Sequence, residues 1–153
     1  MRGKTFFRNL TIAIVSILFA ASIVMAASTA TQHHSRFGSL NILLISWTAA
    51  AGGAFTSYET RNINGMVWGV ETDPGVSAPT ASYDITLKDQ YGLDIMGAKL
   101  ADRASGETQF VQPYNTDQSE YLSMPVHGPL TVAISNNSVT AATGKIMIYY
   151  ITE

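Results

Sequence analysis

Residues 128–150 read "GPLTVAISNNSVTAATGKIMIYY", two strand-like runs joined by polar turn residues. In the first run Leu130, Val132 and Ile134 alternate with Thr131, Ala133 and Ser135, the period-two pattern of a β-strand. In the second, Ile146, Ile148 and Tyr150 share one face while Met147, Tyr149 and Ile151 share the other. Both faces are apolar, so this strand is expected at the centre of a sheet or beneath a neighbouring subunit. Together the two runs read as a regular hairpin with no nucleophile, acid pair or metal ligand, and therefore as scaffold.

Working upstream, more short strands follow. "LNILLISWTA", beginning at Leu40, reads as a buried strand, "AFTSYET" as a more exposed one, and "MVWGVETD" as a third, with Asn64-Gly65 the expected turn before it. Asp73-Pro74-Gly75 opens a Pro/Gly/Ser loop. In "SYDITLKD", Tyr83, Ile85 and Leu87 alternate with Asp84, Thr86 and Lys88, the mark of a strand with one wet face. "QYGLDIMGAKLADRASGET" spaces Leu93, Met96 and Leu100 for one or two helical turns, which Gly92 and Gly97 weaken, so an irregular excursion is equally expected. "TQFVQPY" and "SEYLSMPV" are short strands that Pro113 and Pro125 assign to sheet edges. The expected class is all-β, a β-sandwich or jelly-roll-like fold of about seven to nine short antiparallel strands.

An N-terminal segment precedes this domain. Arg2, Lys4 and Arg8 form a basic zone, Leu10 to Val24 an apolar run, and Val24-Met25-Ala26 a small-residue junction, as in an export signal cut after Ala26. The apolar stretch 10–27 is also near the length that spans a bilayer, so an uncleaved anchor helix is an alternative. A third is a start at Met25. The expected organisation is a signal or anchor over 1–26, a flexible polar arm over 27–39, "ASTATQHHSRFGS", and the β-domain over 40–153.

Composition narrows the function classes. Losing residues 1–26 would take three basic residues and no acidic one from totals of nine and eleven, leaving a formal charge of −5. The remaining basic residues, Arg36, Arg61, Lys88, Lys99, Arg103 and Lys145, are scattered, which argues against a nucleic-acid stripe. The chain has no cysteine, so no disulfide staples an exported domain and no thiolate metal site forms.

Candidate chemistry is sparse. His33 and His34 fall in the expected arm and His127 before the Gly128-Pro129 turn, which reads as three solvated histidines rather than a metal site. Asp89, Gly92 and Asp94 faintly suggest a calcium loop but depart from the EF-hand pattern, and a turn leaving the Asp84–Lys88 strand is the favoured reading of the same residues. The spacing of Asp84, Asp94, Asp102 and Glu107 fixes no carboxylate pair for glycoside hydrolysis. There is no "GxSxG" and no phosphate-binding glycine loop, and Asn136-Asn137-Ser138 matches a glycosylation sequon. Trp47 and Trp68 are read as core, and tyrosines such as Tyr149 as candidates for a subunit contact. No catalytic residue, cofactor or metal is expected.

"ISWTAAAGGAF", "VETDPGVSAPTASYDITLKDQYGLDIMGAKLADR", "GPLTVAISNNS" and "TGKIMIYYI", in that order over roughly residues 44–151, resemble small β-rich proteins of poorly defined role encoded among the virion genes of tailed bacteriophages and prophages. The resemblance implies a non-enzymatic structural or capsid-associated protein and carries no catalytic residues. The expected function is thus a virion-type structural protein that decorates or stabilises an assembly, self-associating through Met147, Tyr149 and Ile151. The alternative is a secreted or surface-tethered module that binds glycan or protein through loop aromatics. Exported location goes with a functional signal, and virion location with a start at Met25 or a membrane-containing virus.

Overall fold

The computed structural model describes residues 26–152, so the expected signal or anchor segment, Ala26 apart, lies outside the described residues. The described chain is all-β, with one short 3₁₀ turn at Ala51–Gly53. Its strands are β1 Thr29–Phe37, β2 Leu40–Thr48, β3 Tyr58–Glu59, β4 Ile63–Pro74, β5 Asp84–Lys88, β6 Gln109–Val111, β7 Tyr114–Asn115, β8 Glu120–Tyr121, β9 Met124–Gly128, β10 Thr131–Ser135 and β11 Thr143–Ile151.

A six-stranded antiparallel sheet runs β1-β2-β11-β4-β6, with β9 also pairing β4. β9 and β6 take successive stretches of β4, Ile63–Val67 and Val70–Thr72. A three-stranded sheet runs β3-β10-β5, and β7 pairs β8. Side chains of the large sheet (Leu43, Ile45, Trp47, Val67, Val70, Ile146, Ile148, Tyr150) and of the small one (Ile85, Leu87, Val132, Ile134) form a single buried cluster. Ile95, Met96 and Leu100 join it from the turns between β5 and β6. Desolvation of these aliphatic and aromatic groups is the main force holding an unstapled domain of this size together.

The alternation in β5 behaves as its pattern dictates: Tyr83, Ile85 and Leu87 are buried and Lys88 is exposed. β11 is central in its sheet, flanked by β2 and β4; its Ile146, Ile148 and Tyr150 face is buried in the core, while the Met147, Tyr149 and Ile151 face is only partly covered. Pro125 lies in β9, whose single partner is β4, so its missing N–H costs no ladder bond on the outer side.

Four local expectations need correction. β10 and β11 are not a hairpin, because they belong to different sheets and residues 136–142 cross between them. Asn136 and Ala141, both at φ 55°, redirect the chain at the two ends of that crossing. Asn137 pins it: its Oδ1 accepts from the Thr80 and Val139 N–H groups at 3.1 and 3.2 Å, and its Nδ2 donates to the Gly53 carbonyl at 3.1 Å.

Residues 29–37, expected within a flexible arm, form β1 and pair with β2 along its whole length. Backbone ladder bonds hold this polar strand, and two side chains, Ser28 just before it and Gln32 within it, hold the segment 54–62. Ser28 Oγ accepts from Thr56 N–H at 2.8 Å and Gln32 Oε1 from Arg61 N–H at 2.9 Å. The segment so held, 54–62, is correspondingly irregular, and of the expected "AFTSYET" strand two residues remain as β3.

Asn64-Gly65 is not a turn but extended chain within β4, opposite His127 and Val126. A Cβ on Gly65 would overlap the Ile151 carbonyl, so the glycine serves close backbone approach. In the 90–108 excursion the chain forms turns rather than helix. Met96 and Leu100 are buried, whereas Leu93 is 56% exposed and does not share their face.

Candidate assembly face

The strand register determines which side chains share the outer face of the large sheet. Met147 lies between Leu44 and Glu71, Tyr149 between Ile42 and Gly69, and Ile151 between Leu40 and Met66. Directly paired residues project to the same side. The three residues expected to mediate self-association therefore share a largely apolar face, on which Glu71 stands beside Met147. Met147 and Tyr149 are half-buried, while Ile151 is 45%, Met66 41% and Phe110 47% exposed.

A β-bulge completes this surface. Tyr149 pairs with Gly69 but Tyr150 with Val67, so Trp68 is an extra residue on β4. Trp68 was expected in the core; it packs instead with Phe110 and Tyr149, ring centroids 5.3 and 5.7 Å away. Phe110 and Tyr149 stand 6.0 Å apart and close the cluster. Gly69 makes room for it, since a Cβ there would overlap the Phe110 ring. Period-two reading cannot foresee a bulge, and so missed Trp68 and Phe110. Trp47, by contrast, is core as expected, 2% exposed.

Two polar contacts lie within this face. Tyr149 Oη donates to Glu71 Oε2 at 3.0 Å, and Lys145 Nζ lies 3.6 Å from Asp73 Oδ2. Burial, then the hydrogen bond to Glu71, raises the Tyr149 pKa above the usual phenol value, so the ring stays neutral well into alkaline solution. Toward Asp73 the face turns polar, with Thr143, Thr48 and Ser46 beside the Lys145–Asp73 pair around a cleft of ≈ 430 Å³.

The other candidate residues are dispersed. His33 and His34 lie in β1, not in an arm; His34 is half-buried, its Nε2 3.0 Å from Asn41 Oδ1, and its ring stacks 6.2 Å from that of Tyr150. His127 is on β9. Asp89 Oδ1 accepts from the Tyr91 and Leu93 N–H groups at 2.9 Å, and Asp94 accepts from those of Met96 and Ala98 at 3.1 and 2.9 Å. These carboxylates shape turns, as Asp residues do when their side chains bond the backbone a few positions on. Asp84 accepts from Asp102 N–H and from Asn136 Nδ2, joining β5 to two loops. Among the described residues no group of three or more His, Asp or Glu is placed to hold a metal ion. No family model, no curated protein and no solved structure matches this chain.

Proposed function

We propose that this chain is a non-enzymatic structural protein, a β-sandwich of virion-associated type, that acts by assembling with copies of itself through the outer face of its large sheet. The observation that carries the reading is the surface built by Met147, Tyr149, Ile151, Met66, Trp68 and Phe110, largely apolar across neighbouring strands with Glu71 among them. Exposed apolar patches of this kind mark contact surfaces. A second copy is the occupant that suits it. Asp73 is already paired with Lys145, and the Glu71 carboxylate accepts a hydrogen bond from Tyr149, so this face brings few unanswered polar groups to a second copy. The resemblance to phage virion proteins supports the same role.

The test is the native mass of the chain from Ala27 onward, by light scattering after size exclusion. A defined closed oligomer that Tyr149→Asp converts to monomer is the expected result. A monomeric parent protein, or an oligomer indifferent to Tyr149→Asp, would overturn the reading. Recovery of the protein from particles rather than from an exported fraction distinguishes virion from surface location.

A further inference from the structure

Among the described residues the sheet edges are covered or blunted, with one exception. Along the side of β5 away from β10, the turns that follow supply backbone partners: Ile85 N–H donates to the Leu100 carbonyl and Ile95 N–H to the Leu87 carbonyl, both at 2.9 Å. β9 carries Pro125, β6 has three residues, and β3, β7 and β8 have two each. Covering, proline and shortness are the means by which native edges avoid pairing with another chain.

β1 uses none of them. Its nine residues pair with β2 in unbroken register, without bulge or proline, and Arg36 is the one Lys, Arg, Asp or Glu in the strand. Alternate residues of an antiparallel strand turn N–H and C=O away from the partner, so about half of the β1 backbone faces outward. Among the described residues no hydrogen bond outside the β1–β2 ladder reaches those groups. The segment 54–62 is held by the side chain of Gln32, which shares the inward side of β1 with Ala30, so it lies beneath the strand rather than alongside it.

We propose that this edge pairs with β1 of a second copy, antiparallel about a two-fold axis, so that two six-stranded sheets become one. Facing residues in an antiparallel ladder either bond each other or both point away. Two identical strands therefore match only where paired residue numbers sum to an even value, which puts the axis on a residue. Full overlap of Thr29–Phe37 puts it on His33. Thr31 then faces Ser35 of the second copy, Gln32 faces His34, and Arg36 faces Ala30, so hydroxyls meet and the charge meets no like charge. A foreign peptide is selected by pockets that take its alternate side chains; β1 instead exposes Thr29, Thr31, Gln32 and His33, and against itself it matches at all nine positions. The outward row Thr31, His33, Ser35 and Phe37 continues Ser46, Leu44, Ile42 and Leu40 on β2, so pairing sets two outer faces side by side. The contact uses backbone groups and none of Met147, Tyr149 and Ile151, and so stands apart from the assembly reading. With nine residues a side, against about 20–30 in a stable interface, it is transient on its own and is detected by trapping rather than by native mass.

The chain has no cysteine, so introduced thiols report the register directly. Facing Cα atoms stand about 4.5 or 5.5 Å apart, within the disulfide range of about 4.4–6.8 Å, whereas an offset of four residues is about 13 Å and out of reach. The experiment oxidises single-cysteine variants of the full chain with copper phenanthroline in air and follows disulfide-linked dimer. His33→Cys should link at least tenfold faster than Thr31→Cys or Ser35→Cys, and the double variant Thr31→Cys/Ser35→Cys should recover the fast rate. The same order is expected when Tyr149→Asp is added to each variant. A monomeric parent protein would remove the assembly reading and leave this order standing. Linkage that disappears with Tyr149→Asp would assign the contact to the outer face and overturn the proposal. Equally slow linkage at all positions would overturn it too, and would leave the edge to a strand of another protein.

Discussion

The hydroxyl of Tyr149 on β11 donates to the Glu71 carboxylate on β4 at 3.0 Å, a diagonal contact between neighbouring strands on the outer face of the large sheet. It separates two roles of one side chain. Tyr149→Phe removes the donor and keeps the ring, so a stability loss of ~0.5–1.5 kcal/mol is expected by urea denaturation, with the oligomer intact. Tyr149→Asp places a second carboxylate beside Glu71 and should dissociate it. Dissociation of the Phe variant would assign the contact to the hydroxyl instead.

Alkaline solution probes the same residue with two others. Burial is the largest cause of a raised phenol pKa at Tyr83, Tyr149 and Tyr150 alike; Arg103 opposes it at Tyr83 and Arg61 at Tyr150, while Glu71 adds to it at Tyr149. A free tyrosine titrates near ~10, so the unfolded chain loses these protons first. The stabilisation they contribute is complete below ~10 and disappears as pH rises through the higher folded values. Melting temperature should therefore hold through neutral pH and fall above about pH 10, less steeply in Tyr149→Phe. A melting temperature unchanged in strong alkali would contradict the burial of these phenols.

Thr60, 5% exposed, ties the end of β3 to the start of β10: its Oγ1 accepts from Leu130 N–H at 2.9 Å and donates to the Arg61 carbonyl at 2.8 Å. Thr60→Val keeps the shape but strands a buried N–H, at an expected cost of about 1–3 kcal/mol in chemical denaturation. Thr60→Ser should recover most of it. Equal stability of the Val and Ser variants would show that the hydroxyl contributes nothing.

Two glycines with similar backbones should differ sharply. Gly38, at φ +64°, has open space where a Cβ would stand, so Gly38→Ala carries the left-handed strain alone, about 1–2 kcal/mol. Gly53, at φ +77°, faces the Asn137 backbone carbonyl, which a Cβ would overlap. Gly53→Ala must add displacement of the β10–β11 crossing to that strain, and is expected to lower the thermal midpoint several degrees further than Gly38→Ala. Matching midpoints would mean that the crossing yields freely.

What could be read in advance follows from the range of the forces involved. The alternation of Tyr83, Ile85 and Leu87 and the inward face of β11, Ile146, Ile148 and Tyr150, are local patterns imposed by burial, and both appear in the structure. β1 escaped because an edge strand needs backbone partners more than apolar side chains, and His33, His34, Ser35 and Arg36 look like linker. The supposed hairpin failed for a related reason. Turn residues such as Asn136 and Asn137 reverse or redirect a chain alike, and only distant strands decide which sheet the next one enters. On the assembly face, Met147, Tyr149 and Ile151 were legible from alternation, whereas Trp68 reached it through a bulge.

The position of β11 has a consequence for synthesis. Every other described strand precedes it in the chain, yet it is the one that joins the β1–β2 pair to β4 and the strands β4 carries. While a ribosome is still translating residues before 143, those two halves have no common partner, and their facing edges stay open. The large sheet can close only after residue 151 has left the exit tunnel, so folding waits for nearly the whole domain and the nascent chain depends on being shielded until then.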